Sequence, residues 1–245
     1  MEILDNPNLN SDRLIIVVYN PWAGGKFFVN ALGLSNRAVL QHADYAEMQL
    51  DGKINAWAKY DILKQRLDKT TTRWLDLGLG CSNLFGDNLK DPNSYPPLIT
   101  RLSNNDHYFF VVAHNESIAR SLTKTWPNAK IIYVCNSFNF VSWRFNHKTR
   151  RDVPLCSWFP NYQRLSEVDV DFSNFVYEFP HQKVTVDADV FLDKDKLLCC
   201  VKFLYQWLGL DDYNDILIND YYDFYMDKLR EIRLVYEKNY VGNER

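Results

Sequence analysis

Residues 14–34 read LIIVVYNPWAGGKFFVNALGL, and this stretch decides the fold. Ile15, Ile16, Val17 and Val18 form a continuous β-branched run, the pattern of a strand buried on both faces. Asn20-Pro21 ends the run, and Ala23-Gly24-Gly25 lets the backbone turn tightly and approach a ligand closely. Lys26 opens a helix in which Phe27, Val29, Ala31, Leu32 and Leu34 can face a core. The first N–H groups of a helix lack intrahelical acceptors, and the helix dipole adds partial positive charge there. With a lysine in that turn, strand, turn and helix predict an anion site for a phosphate or sulfate group. The same residues also read as a plain glycine turn carrying a surface lysine.

Compared with the phosphate loop G-x-x-x-x-G-K-[ST], Asn20 stands at the first glycine, Gly25-Lys26 match, and Phe27 replaces the hydroxyl residue. That hydroxyl ligates magnesium in nucleoside triphosphate chemistry, so Phe27 argues against metal-assisted ATP hydrolysis.

Further along, Lys53–Lys69 has helical spacing, with Ile54, Trp57, Ala58, Ile62 and Leu63 on one stripe and charges opposite. Residues 74–97 are rich in glycine, proline and asparagine and read as loop. Their Gly78-Leu79-Gly80 lacks the third glycine of a dinucleotide fingerprint. His107–Ala113 and Lys130–Cys135 read as two more buried strands, with a helix from Asn115 to about Thr125 between them. A helical stretch near 138–146 follows, then an irregular aromatic region over 149–182, a strand at Lys183–Val186, a helix over Asp193–Leu208 stopped by Gly209, and a last helix over Asp215–Lys238. Asp187 and Asp189 read as helix caps before Phe191 rather than as a metal or acid/base pair.

Strands alternating with helices predict a parallel sheet with right-handed crossovers. The expected fold is a single-domain α/β/α three-layer structure with a central parallel sheet over residues 1–245. In such sheets ligands bind at the carboxyl ends of strands, where the glycine turn, His114 and Asn136 fall. His42, His107, His147 and His181 have no such setting.

The 245 residues are 47% hydrophobic and 15% aromatic, enough for one substantial core, and the net charge of −3 gives no reason to expect nucleic-acid binding. The basic run His147-Lys148-Thr149-Arg150-Arg151 reads as solvated surface or as an anion contact. Five cysteines without C-x-x-C spacing fit reduced thiols in a cytoplasmic protein without a metal site. The polar N-terminus carries no signal-peptide pattern, and no apolar run approaches the roughly 18 residues of a membrane span.

The order of three blocks resembles the sulfotransferase family, P-loop-like enzymes that use 3′-phosphoadenosine 5′-phosphosulfate (PAPS). Tyr19–Phe28 is similar to the family's loop for the 5′-phosphosulfate. FFVVAHN, KIIYVCN and VSW, between Phe109 and Trp143, resemble its strand-Thr-His, helix, Lys-Ile-Ile-Tyr-Val-x-Arg-Asn and serine order. VTVDADVFLDKDKLLCCVKFLYQWLGL, from Val184 to Leu210, looks like its late strand, acidic turn and helix ending in Leu-Gly.

This resemblance implies a P-loop NTPase-like fold and sulfuryl transfer from PAPS to a hydroxyl or amine of a small-molecule, carbohydrate or lipid acceptor, with no metal required. It makes Ala23, Gly24, Gly25, Lys26, Phe27 and Phe28 the phosphosulfate cradle, with Lys26 neutralising the leaving phosphate. It makes His114 the base, and it sets Asn136 and Ser142 near the 3′-phosphate. Departures are visible: Trp22 stands where a basic residue is frequent, Asn136 stands at the arginine that grips the 3′-phosphate, and the step to Ser142 is two residues short. Arg144, or the Arg150-Arg151 pair, would compensate; no Arg-Lys-Gly segment is present.

Two other readings stay open. A sulfotransferase-like binding protein without catalysis would accommodate Trp22 and Asn136, with the aromatic region over 158–179 as an interface. A P-loop nucleotide or small-molecule kinase would need a magnesium-binding hydroxyl and a strand ending in aspartate, for which Asp76 is a poor candidate.

Overall fold

A computed structural model of the chain describes residues 11–19, 24–38, 54–69, 107–113, 116–135, 174–179 and 182–241. The chain forms two compact units, Met1–Gly25 with Asn88–Cys200, and Lys26–Asp87 with Val201–Arg245.

The first unit holds the sheet. Strands β1 (Leu14–Tyr19), β2 (Phe109–Ala113), β3 (Lys130–Cys135) and β4 (Lys183–Asp187) lie in the order β2-β1-β3-β4, all parallel. Every residue of β1 is buried, as its β-branched run demands of a strand covered on both faces. Its register aligns Val18 with Ala113 on one side and Tyr19 with Val134 on the other. β4 buries Val186 while Lys183, Thr185 and Asp187 stay exposed; among the described residues β3 is its one neighbour, and exposed charges suit such an outer strand. The α/β class and the parallel sheet are as the sequence predicts, and β3 matches its expected bounds residue for residue.

Between β2 and β3 the first unit also carries a helix over Glu116–Thr125, packed on β1 and β2 through buried Ala119 and Leu122. Arg120 on this helix pairs with Glu116, bonds Glu178 at 3.0 Å and lies 5.2 Å over the Phe175 ring. From β4, Lys183 donates to the carbonyls of Tyr177 and Phe179, each at 3.0 Å, and to that of Val176. After β4 comes a 3-10 turn, Ala188–Leu192, capped by Asp187, whose carboxylate accepts from the Asp189 N–H at 2.8 Å. This is the capping role expected from the sequence.

Helices α1 (Gly25–Gly33), α2 (Ala56–Lys69) and α5 (Asp215–Val241) build the second unit, together with the part of a helix over Lys194–Leu208 that begins at Val201. In chain order the helix over Glu116–Thr125 is α3 and that over Lys194–Leu208 is α4. The α4 C-terminus closes on Gly209 at φ +75°, with Gly209 N–H donating to Gln206 O at 3.0 Å and Leu210 N–H to Tyr205 O at 2.9 Å. Both bonds belong to the Schellman motif that a left-handed glycine permits.

Helix α1 is buried on all sides from Phe27 to Leu32, the polar Asn30 included. The Asn30 amide donates to the Tyr221 hydroxyl at 3.2 Å, and the Tyr205 hydroxyl donates to Ala31 O at 2.8 Å. Phe27 stacks on Tyr221 with ring centroids 5.0 Å apart.

Helix α2 corrects the sequence reading. Its expected apolar stripe is only partly buried: Ile54 and Leu63 are, Trp57 is 42% exposed, and Ala58 and Ile62 are half-buried. The inward positions include Tyr60 and Lys59, the latter placed on the charged face by periodicity yet only 1% exposed. The reason is hydrogen bonding: the Lys59 ammonium satisfies backbone carbonyls that no apolar side chain would serve.

Among the described residues, no helix is long and apolar enough to cross a membrane. The loop over 74–97 and the helical stretch near 138–146 lie outside the described residues, as does the aromatic region apart from 174–179 and 182.

Candidate anion site at the β1–α1 turn

Strand order fixes where a ligand crevice forms. From β1 the chain crosses to β2 on one side; from β2 it passes back over β1 to β3, then onward to β4. The order therefore reverses between β1 and β3, and at such a switch point the connecting segments diverge and leave a crevice at the carboxyl ends. Tyr19 ends β1 there, beside Val134 of β3.

Out of β1 the chain enters the glycine turn. Gly24 has φ +77°, a backbone conformation that costs an L-residue about 1–2 kcal/mol. It has no room for a side chain either: an added Cβ would sit 2.6 Å from Phe191 Cζ. At Gly25 an added Cβ would meet the Tyr19 ring, with Cε1 at 2.6 Å. At both glycines a side chain would displace an aromatic ring of the chain itself.

Helix α1 starts at Gly25, carries no acidic residue in its first turn, and has half-buried Lys26 as its second residue. Lys26 makes no ion pair with any described residue. Phe27 and Phe28 are fully buried, so any part they take in a cradle falls to their backbone and not to their rings.

The other end of α1 has no basic residue of its own. Lys59 of α2 supplies one: its Nζ donates to Gly33 O at 3.3 Å and to Ser35 O and Ala38 O at 2.5 Å each. A lysine cap completes the carbonyls that a helix end leaves over and complements the negative end of the dipole. Burial lowers the Lys59 pKa to about 8, against the opposing pull of Asp212. Asp212 accepts from Ser35 Oγ at 2.7 Å and from the Asn36 N–H at 2.6 Å, binding the same corner.

Of the residues the sequence assigns to a site, Gly24, Gly25, Lys26, Phe27 and Phe28 form one turn and helix start. Ala23, His114, Asn136, Ser142 and Arg144 lie outside the described residues. In the sequence His114 directly follows the end of β2, and Asn136 the end of β3. Sequence reasoning gave no site role to Phe191, although it lies in the Val184–Leu210 block, or to Lys59; the Lys59 acceptors are backbone carbonyls, and Phe191 stands against the bare backbone of Gly24. Comparison with protein-family models, curated proteins and solved structures finds no match for this chain.

Proposed function

We propose that the protein is a sulfotransferase with a P-loop-like three-layer fold, moving a sulfuryl group from PAPS to a hydroxyl or amine acceptor. The observation that carries this reading is the β1–α1 junction: a central parallel strand runs into a glycine at φ +77° and a helix start with a lysine and no carboxylate. Bound PAPS would supply an activated sulfuryl group on a phosphate leaving group. The N–H groups from Gly25 to Phe28 and the Lys26 ammonium would hold the phosphosulfate and neutralise the charge that develops on the leaving oxygen. His114 would take the proton of the acceptor as its oxygen or nitrogen bonds to sulfur and the sulfur–oxygen bond to the phosphate breaks. Asn136 and Ser142, assisted by Arg144, would hold the 3′-phosphate.

The kinase reading is less well supported. Phe27 stands where that chemistry needs a metal-binding hydroxyl, and its ring is committed to the stack on Tyr221.

Calorimetry with 3′,5′-adenosine bisphosphate and with ATP, each with and without magnesium, tests the proposal. Metal-independent binding of the bisphosphate is expected. Binding of neither nucleotide would refute the enzyme assignment and favour a non-catalytic protein. In an active preparation, His114→Ala lowers turnover by roughly 10²–10⁴-fold with nucleotide affinity nearly kept; unchanged turnover would remove His114 as the base.

A further inference from the structure

We propose that Phe191 is a positioning residue that sets the conformation of Gly24, just before α1; its relevance to ligand binding rests on reading the start of α1 as an anion cradle. Phe191 is almost fully buried, and its ring occupies the space where a side chain of Gly24 would be, with Cζ at 2.6 Å and Cδ2 at 3.2 Å from that position. The Tyr19 ring fills the equivalent space at Gly25. Each glycine therefore has a ring against it, one from the end of β1 and one from the segment that follows β4.

The anchorage of Phe191 is firm at both ends of its short turn. Asp187 caps the start through the Asp189 N–H, and the Asp193 N–H closes the end on Val190 O at 3.3 Å. Asp193 then caps α4, accepting from the N–H groups of Asp195 at 3.1 Å and Lys196 at 3.2 Å. Because β3 lies between β1 and β4, the contact of Phe191 with Gly24 passes the carboxyl end of β3, where the strand order reverses. A ring placed there fixes the backbone of Gly24 before any anion arrives, so binding need not supply the ordering entropy of that residue.

The test uses the full chain with Phe191→Ala and Phe191→Leu, reading amide exchange at Gly24 and Gly25, affinity for 3′,5′-adenosine bisphosphate, and urea unfolding. Exchange at the two glycines should quicken, and bisphosphate affinity should fall, by roughly 10- to 100-fold in Phe191→Ala. Phe191→Leu should give an intermediate effect, and it carries the test if the alanine variant does not fold. A ring that only filled space would lower unfolding stability and leave exchange at the turn in step with global opening; that result overturns the proposal. Faster exchange at the glycines in a protein that binds no bisphosphate would uphold the role of Phe191 and refute the sulfotransferase reading instead.

Discussion

Replacing Lys59 with methionine should cost more stability as the pH rises. The native ammonium is buried against three carbonyls, and its pKa is lowered to about 8 from the ordinary 10.5. Below pH 8 it is protonated in both folded and unfolded chains, and the burial penalty on its charge is present in full. Between pH 8 and 10.5 the unfolded chain binds more protons than the folded one, so wild-type stability gains from this group with rising pH. At 1.36 kcal/mol per unit, the gain across that window is about 3 kcal/mol. The thioether of the Lys59→Met variant has no such dependence, and at every pH it leaves three carbonyls without their donor, each a loss of about 1–3 kcal/mol. At neutral pH, relief of the buried charge offsets much of this loss; near pH 10.5 nothing does. Tyr60, pushed up to about 12, and Cys200, pushed up to about 11, both by burial, weaken folding in the alkaline range. Burial raises Tyr205 as well. All three are present in both proteins and cancel in the difference. Urea unfolding of wild type and Lys59→Met at pH 7.5, 8.5, 9.5 and 10.5 measures that difference. A gap that narrows as pH rises would refute the reasoning, because the carbonyls would then hold the proton more tightly than water does.

Three further outcomes follow from the same contacts. Asp212→Asn removes the charge that raises the Lys59 pKa, so the difference curve against a Lys59→Met partner in that background should move to lower pH. In urea unfolding, Gly209→Ala should cost at least about 1–2 kcal/mol for its positive φ, and Gly24→Ala should cost more than that amount, because the Phe191 ring stands where its Cβ would go. Phe27→Leu gives up the stack on Tyr221 and should cost about 1–2 kcal/mol by the same measurement.

How much of this was legible beforehand depends on what each residue contacts. β1 and β3 could be read because strands covered on both faces need unbroken apolar runs, and Leu14–Tyr19 and Lys130–Cys135 are such runs. The end of α4 could be read because few residues other than glycine accept φ +75°. Lys59 could not. Its acceptors are main-chain carbonyls 21 to 26 residues earlier, and carbonyls carry no side-chain signature. Phe191 was hidden for a related reason, since its counterpart is the missing side chain of Gly24. In the candidate site, periodicity and punctuation located the glycines and the strand ends, while the Phe191 ring against Gly24 comes from packing between distant segments.

The interleaving of segments has a consequence for synthesis on the ribosome. β1 pairs with β2 and β3, and the nearer of these begins about 90 residues after β1 ends. Helix α1 waits longer, since Tyr205 and Tyr221 follow their α1 partners by 174 and 191 residues. At ordinary translation speeds the LIIVVY run stays unpartnered for roughly 5–20 s after it is made, an apolar, β-prone segment without a mate. A nascent chain of this design therefore relies on holding chaperones to shield β1 until β2 has been made.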